Sequence, residues 1–207
     1  MYAIVVASQK GGVGKTTIAG HLGVEADRSQ DGPVALIDTD PQGSLSSWWN
    51  ERKDETPLFA RVGINDISKH LSALAKAGVK LAIIDTPPAV SETIRTVLVV
   101  ANLVVIPTRP SPHDLRAVGS TVELVEQAKK RMIFVINGAA PRARITGEAA
   151  VALSQHGTVA PVTLYQRTDF ASSMIDGRTV QEIQPNGRSA CEIVNLWKYI
   201  STQLRKC

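Results

Sequence analysis

The sequence predicts an α/β fold, with helices on both faces of a single, mostly parallel, doubly wound sheet. Short and almost continuously apolar runs, such as Tyr2–Ser8 and Leu103–Ile106, are typical of strands buried on both faces of a parallel sheet. Longer segments with helical periodicity separate these runs, which gives the strand–helix–strand alternation of such sheets. The 207 residues show no repeat or linker, so we expect one domain over residues 1–207.

The predicted elements alternate along the whole chain. Strands are expected over Tyr2–Ser8, Val34–Ile37, Leu81–Ile84, Leu103–Ile106 and Met132–Ile136, with a further one over Val159–Leu164. Helices are expected over Thr16–Arg28, from near Ser44, and over Ile64–Ala77, Ser91–Asn102, His113–Lys130 and Thr146–His156. A closing helix over Ser189–Leu204 has an apolar face typical of packing on a sheet, formed by Ile193, Leu196, Trp197, Ile200 and Leu204.

Composition narrows the class of protein. The net charge is +4, which permits binding to nucleic acid without requiring it. No apolar run approaches the ~20 residues that span a bilayer, so a transmembrane protein is not expected. The two cysteines, Cys191 and Cys207, lack metal-site spacing, and we predict a reduced, cytoplasmic chain without a metal or redox role for them.

The strongest functional pattern follows the first strand. Three glycines and a lysine lie between a predicted strand and a predicted helix, in the stretch Gln9, Lys10, Gly11, Gly12, Val13, Gly14, Lys15, Thr16 and Thr17. Glycines let backbone N–H groups face phosphate oxygens, and the helix begins with its positive end toward the same anion. The general phosphate-loop pattern has a glycine where this chain has Gln9. Despite this difference, the glycines and the helix start in the segment from Lys10 to Thr17 predict a nucleotide site, in which Lys15 would contact the β- and γ-phosphates.

Carboxylates at two further strand ends suggest a magnesium site. Asp85 ends the apolar run Leu81–Ile84, and with the Thr16 hydroxyl it is expected to hold Mg²⁺. Asp38 and Asp40 follow another strand and would orient a metal-bound or attacking water. The alternative for each aspartate is an ordinary turn or capping residue.

Together these motifs resemble the ParA/MinD family of deviant Walker ATPases, which have the P-loop NTPase fold. The resemblance rests on Lys10–Thr16, on Asp38-Thr39-Asp40-Pro41-Gln42-Gly43-Ser44 and on Asp85-Thr86-Pro87-Pro88. It implies that Lys10 reaches the nucleotide of a partner copy in an ATP-dependent homodimer. A solvated surface lysine is the alternative for Lys10.

The resemblance also assigns roles around the nucleotide. Asp40 would orient the attacking water, Thr86–Pro88 would respond to loss of the γ-phosphate, and Asn137 would contact adenine. The catalytic set is then Lys10, Lys15 and Asp40, the metal set is Thr16, Asp38 and Asp85, and the cofactors are ATP and Mg²⁺. No guanine signature of the Asn-Lys-x-Asp type is present, which favours ATP. A plain turn asparagine is the alternative for Asn137.

Two basic patches are candidates for sequence-independent DNA binding. The first contains Lys129, Lys130, Arg131, Arg142 and Arg144, and the second contains Arg188, Lys198, Arg205 and Lys206. We select Arg188, Lys198 and Arg205 as DNA contacts, although any single residue also fits an ordinary solvated surface. The amphipathic last helix also resembles a membrane-targeting tail, but core packing explains its apolar face, so a membrane is not the expected track.

The expected function is ATP-driven segregation of plasmid or chromosomal DNA by a nucleoid-associated dimer with a ParB-like, centromere-binding adaptor. The same ATPase positioning a protein cluster or a septum site is the first alternative. A metabolic P-loop ligase or kinase is the second, and it would not need a lysine that acts on a partner copy.

Overall fold

The computed structural model describes residues 1–88 and 92–206, with the backbone alone for Glu92. Within these ranges the strands are β1 Tyr2–Val6, β2 Val34–Asp38, β3 Leu58–Ala60, β4 Leu81–Asp85, β5 Leu103–Thr108, β6 Met132–Ala139, β7 Thr158–Val159 and β8 Leu164–Tyr165. The α-helices are α1 Lys15–Arg28, α2 Ser44–Asn50, α3 Ile67–Lys76, α4 Glu92–Val100, α5 Pro112–Gln127, α6 Arg144–Ser154, α7 Thr168–Ser173, α8 Val180–Ile183 and α9 Arg188–Leu204. The expected helix start at Ser91 and the prediction for Cys207 lie outside the described residues.

The strands form one eight-stranded sheet in the order β3-β2-β4-β1-β5-β6-β7, with β8 paired to β6. Each pairing between described strands is parallel, which confirms the predicted α/β architecture. Because β1 lies between β4 and β5, the chain crosses over to both sides of it. The loops after β1, β2, β4, β5 and β6 therefore meet at the carboxyl edge of the sheet, where ligands bind in such folds.

Alternate residues of each buried strand pack on opposite faces, which explains the continuous apolar runs. On one face of the sheet, Ile4 and Val6 of β1 pack in a core with α1, α2, α8 and α9. On the other face, Val5 and the next alternate residue, Ala7, pack in a second core with α3, α4, α5 and α6. Trp197 of α9 is almost fully buried in the first core, as expected for a closing helix.

One predicted strand is wrong. Instead of a single strand over Val159–Leu164, the chain forms β7 and β8 with an unpaired stretch around Pro161. Proline lacks the N–H that a ladder needs, so the pairing with β6 is interrupted there. The other predicted strands and helices of the described ranges end within three residues of their expected bounds, and the first turn expected at Ile64 is a 3₁₀ turn, Ile64–Asp66.

The amino edge of the sheet, opposite the carboxyl edge, carries a cavity of about 500 Å³. Met1, Tyr2, Leu204 and Arg205 line it, so both ends of the described chain meet there. Asp31 on its wall accepts hydrogen bonds from Trp197 Nε1 at 2.9 Å and Arg205 at 2.6 Å. Among the helices that the structure describes, none is both long enough and apolar enough to span a bilayer.

Candidate functional site

The loop between β1 and α1 has the backbone that its glycines permit. Gly12 and Gly14 have φ angles of 73° and 91°, in the left-handed region that favours glycine. A side chain at Gly14 would also overlap the Asn137 amide, so both the backbone angle and the space around this position favour glycine. Gly14 caps α1 without a side-chain acceptor, which leaves the first N–H groups of the helix available to an anion.

Lys15 lies in a buried position at the start of α1. Its Nζ donates a hydrogen bond to the Lys10 carbonyl at 3.2 Å. Burial lowers the pKa of Lys15, and the carboxylates of Asp85 and Asp40 partly oppose that shift. Lys15 is thus a desolvated amine next to two carboxylates, at the point where a phosphate would meet the helix end.

Asp85 and Thr16 join the ends of β4 and α1. The Thr16 hydroxyl donates to Asp85 Oδ2 at 2.6 Å, and the Thr86 N–H donates to Asp85 Oδ1 at 3.0 Å. Burial raises the pKa of Asp85 to about 7, and the hydrogen bond from Thr16 only partly opposes this. A buried carboxylate beside a hydroxyl is a donor set that fits Mg²⁺, because a nearby cation would offset the cost of burying the charge.

The metal would depend on the nucleotide for further ligands. Within residues 1–88 and 92–206, no three His, Cys, Asp or Glu side chains converge on a metal site. Mg²⁺ in nucleotide sites usually takes one or two protein ligands and completes its shell with phosphate oxygens and waters. The pair of Thr16 and Asp85 suits that arrangement.

Asp38 and Asp40 differ in their surroundings. Asp38 accepts the N–H of Asp40 at 3.0 Å on one oxygen and the N–H of Ser46 at 2.9 Å on the other, so it fixes the turn and the first turn of α2. Asp40 accepts the Gln42 N–H at 3.0 Å and lines the cavity beside the loop. Asp38 is directly opposite Asp85 in the register of β2 and β4. The geometry places Asp40 at the cavity and Asp38 one layer behind it.

A cavity of about 630 Å³ lies at the carboxyl edge, within the size range of ligand pockets. Of the predicted site residues it brings together Gly11, Gly12, Gly14, Lys15, Thr16, Thr17, Asp40 and Asn137. Lys10, Val13, Asp38 and Asp85 do not form its wall. Lys10 is exposed and does not line the cavity of its own protomer.

Asn137 supports the loop as well as lining the cavity. Its Nδ2 donates to the Val13 carbonyl at 2.7 Å. The neighbouring Gly138 has a φ of 66°, at the point where the register between β6 and β8 shifts. The Asn137 carbonyl oxygen remains an acceptor for a ligand such as adenine.

The far wall of the cavity was not predicted from the sequence. It is formed by Arg109, Gly138, Tyr165, Gln166, Arg167, Phe170 and Ala171. Arg109 follows β5 and lies beside Gly138, where an added Cβ would be 3.5 Å from its Nε. Gly138 belongs to β6. The residues from Tyr165 to Ala171 reach the wall because β8 pairs with β6 and α7 begins shortly after β8. Arg109 had a sequence signal, since it lies in the proline-rich stretch that follows the predicted strand Leu103–Ile106.

The two arginines of this wall differ in their pairing. Arg167 forms an ion pair with Glu192 and lies over the Tyr165 ring, with 5.4 Å from its guanidinium to the ring centroid. The Arg109 side chain is exposed, and it forms no hydrogen bond or ion pair with the residues that the structure describes. Its charge is therefore available to a ligand.

The first basic patch is not one surface. Lys129, Lys130 and Arg131 precede β6, whereas Arg142 and Arg144 follow it. A strand of eight residues separates the two groups, which places them about 26 Å apart at opposite edges of the sheet. The prediction of a single five-residue patch is therefore wrong.

The second patch lies along α9. Arg188 is at its first turn, near the carboxyl edge, and Lys198 and Arg205 follow on one side toward the amino edge. Arg205 is paired with Asp31, whereas Arg188 and Lys198 are exposed. Glu192, on the same helix, is paired with Arg167.

Comparison with known proteins gives one family. The profile of the CobQ/CobB/MinD/ParA nucleotide binding domain matches residues 4–180. "Maintenance of carboxysome distribution protein A" of Halothiobacillus neapolitanus is 29% identical over 203 residues, covering 94% of this chain and 93% of that protein. "Protein ParA" of Rhizobium radiobacter is 31% identical over 132 residues, covering 63% of this chain and 59% of that protein. The septum site-determining protein MinD of Pyrococcus horikoshii, solved with Mg-ADP, superposes with a TM-score of 0.81 at 14% identity, covering 98% of this chain and 96% of that one.

Proposed function

Because this chain belongs to the CobQ/CobB/MinD/ParA nucleotide-binding family, we propose that it binds Mg-ATP in the 630 Å³ cavity and hydrolyses it as a homodimer that positions a cargo. The Mg-ADP complex of the MinD relative supports the choice of ligand. The buried pair of Thr16 and Asp85 supports the metal site. Mg²⁺, when bound, would supply positive charge at the phosphates.

The phosphates would be held by the loop from Gly11 to Thr17. Backbone N–H groups at the start of α1 and the Lys15 amine meet at that point, and both favour an anion. Asp40, which lines the cavity, would accept a hydrogen bond from the attacking water and hold it in line with the γ-phosphate. Asp38 would fix the turn that carries Asp40 and bear on the metal through water.

The observation that carries the dimer is the exposure of the Lys10 side chain. Its side chain is exposed and does not form the wall of its own cavity, while its backbone carbonyl binds Lys15 within the site. An exposed lysine whose backbone is anchored at the phosphate loop is available to reach a nucleotide on a facing copy. Since the γ-phosphate adds negative charge, ATP would favour the dimer over ADP.

The central test is the oligomeric state of the Asp40→Ala protein, measured by size exclusion with light scattering in Mg-ATP and in Mg-ADP. We expect a stable dimer in ATP and a monomer in ADP, with ATP turnover lost. Lys15→Ala should remove ATP binding, because it deletes the main phosphate cation. Normal turnover by Asp40→Ala would leave that aspartate a structural role only.

Lys10→Ala separates this function from a metabolic ligase or kinase. In the Asp40→Ala background it should abolish the ATP dimer while leaving ATP affinity within about twofold. Lys76→Ala is the matched control, because it removes the same charge from an exposed residue at the end of α3, at the amino edge. A Lys10→Ala protein that still dimerises with ATP would contradict the proposed role.

For the cargo we propose a protein assembly, carried over sequence-nonspecific DNA in the cytoplasm by way of an adaptor protein. The support is the relative that maintains carboxysome distribution, whose match spans almost the whole of both chains. Segregation of DNA with a ParB-like adaptor is the second candidate, supported by the shorter match to a ParA protein. Deleting the gene in its host distinguishes them: misplaced protein assemblies with normal plasmid retention support the first, and plasmid loss supports the second.

DNA as the track has its own test. The ATP-bound Asp40→Ala protein should bind random-sequence duplexes at low salt and release them as salt rises. Retention that is equal in ATP and ADP, or absent at low salt, would argue against a nucleoid track.

A further inference from the structure

The entry to the phosphate loop is tied to the neighbouring strand and helix. Ala7 donates its N–H to the Val105 carbonyl of β5 at 3.0 Å, and Gln9 donates its N–H to Thr121 Oγ1 of α5 at 3.1 Å. Gln9 stands where the general pattern has glycine. It is not among the described residues with a left-handed backbone, so a side chain is tolerated there. The loop therefore begins along α5, and the hydroxyl of Thr121 holds it there.

Thr121 is a fixed acceptor. It is 1% exposed and lies on the face of α5 that buries Val118, Val122 and Val125. The Gln9 side chain adds no second tether, since its Nε2 is buried and has no partner among the residues that the structure describes. The backbone N–H of Gln9 thus depends on one hydroxyl 112 residues away.

Lys10 follows this tether directly. Its N–H donates to Ser8 Oγ at 3.3 Å and its carbonyl accepts from Lys15 Nζ at 3.2 Å, while its side chain is exposed. The backbone of Lys10 is therefore held on both sides, and it sets the point from which the side chain leaves the loop. A rotation of the backbone at Gln9 would move that point, and with it the volume that the flexible four-carbon stem lets the ammonium group reach.

We propose that Thr121 is a positioning residue, which holds the Gln9 N–H so that Lys10 leaves the loop in the direction needed to reach the nucleotide of a facing copy. This inference rests on the proposed role of Lys10 across the dimer. Thr121 itself touches neither nucleotide nor metal, and it acts through the backbone of the loop.

Thr121→Val tests the tether because valine keeps the shape of threonine and removes the acceptor. A buried N–H without a partner is unfavourable, so the loop entry should rotate to find another acceptor. We expect the dissociation constant of the ATP-dependent dimer to rise about tenfold, whereas ATP affinity measured in the Lys10→Ala background should stay within about twofold. Thr121→Ser keeps the hydroxyl and should dimerise like the wild-type protein.

The measurement is sedimentation equilibrium with a nonhydrolysable ATP analogue, on proteins whose fold is checked by circular dichroism and thermal unfolding. Thr121→Ala makes the same deletion and replaces Thr121→Val if that variant does not fold. Two results would overturn the inference: a valine or alanine variant that dimerises like the wild type, or one whose monomeric ATP affinity falls as much as its dimerisation.

The same experiment separates this inference from the proposed function. A wild-type protein that stays monomeric with the analogue, or a Lys10→Ala protein that dimerises normally, would refute the dimer itself. If the wild type dimerises, Lys10→Ala does not, and Thr121→Val behaves like the wild type, the role of Thr121 alone is refuted.

Discussion

At the scale of single residues, His21 is a polar side chain of α1 that is buried with a hydrogen-bond partner on each ring nitrogen. It is fully buried, with Nδ1 2.7 Å from the Thr17 carbonyl and Nε2 accepting the Val180 N–H at 3.3 Å. A carbonyl only accepts, so Nδ1 carries the proton and the ring is the neutral Nδ1–H tautomer. Burial lowers the pKa of His21 to about 4. The ring connects the phosphate-loop helix to α8.

This burial predicts an acid-sensitive fold. Below the unfolded pKa of about 6.5, the unfolded chain binds a proton that the native ring does not take up. The free energy of unfolding therefore decreases as the pH is lowered, until the native pKa near 4 is reached. Between pH 7 and pH 5 we expect this residue to reduce the free energy of unfolding by about 2 kcal/mol. Urea unfolding of wild-type and His21→Gln proteins at both pH values should show the difference, with the exposed His156→Gln as control. Equal pH dependence in all three would show that His21 is protonated in the native state.

Arg109 predicts an effect on nucleotide affinity that differs from that of Lys10. It lines the cavity of its own protomer beside Gly138, so it should act on ATP and ADP alike. We expect Arg109→Gln to weaken both nucleotides about fivefold, or about 1 kcal/mol, as for one exposed charge-assisted contact. Calorimetric titration of both nucleotides measures this. Arg116→Gln removes an exposed arginine from α5 as the control, and a loss confined to ATP would place Arg109 at the dimer contact instead.

At the scale of elements, the short helix α8 is held to the end of α2 by one arginine. The Arg52 side chain is only 3% exposed, and it binds Glu182 at 2.7 Å and the Gly177 carbonyl at 2.6 Å. Glu182 also accepts the Thr179 N–H at 2.7 Å, completing a capping box on α8. The segments that follow α2 and precede α8 are far apart in sequence, and this arginine holds both on the face of the sheet that α1 covers.

Removing this arginine should be costly. Arg52→Leu leaves Glu182 partly buried without its partner, and we expect a loss of about 3 kcal/mol of unfolding free energy, as for other broken buried pairs. Arg144→Leu is the matched control, because it breaks an exposed pair with Glu148 that should contribute about 0.5 kcal/mol or less. Urea denaturation measures both, and similar losses for the two variants would mean that the Arg52 pair behaves like a surface pair.

The same scale shows how far the sequence predicts the structure. Continuous apolar runs such as Leu81–Ile84, and the glycine loop, can be recognised without tertiary information, and their predicted positions are confirmed. The two-residue strand β8 and the six-residue helix α7 have no such pattern, because their conformation depends on the elements against which they pack. The far wall of the cavity, from Tyr165 to Ala171, was missed for this reason. The first basic patch failed differently, since neighbours in sequence were separated by β6.

At the scale of the whole molecule, the distribution of charge predicts how DNA binding should respond to salt. Lys198 is exposed on α9 and free of the ion pair that engages Arg205, so it is the cleaner test of the second patch. In the ATP-bound dimer, Lys198→Ala should weaken binding equally for all duplex sequences and reduce the slope of log K against log salt by about one per protomer. Fluorescence anisotropy at several salt concentrations gives the slope. Arg144→Ala at the carboxyl edge is the comparison, and equal slopes for wild type and Lys198→Ala would remove this patch from the DNA contact.

The meeting of Met1 and Arg205 at one cavity has a practical consequence for imaging and rearranging this protein. A fluorescent reporter fused to either end would lie at the amino edge. The full length of the strands would separate it from the loops that bind nucleotide at the carboxyl edge. A short peptide linker should also join the two ends, so that the backbone could be reopened at a surface turn, as in circular permutants of other α/β proteins.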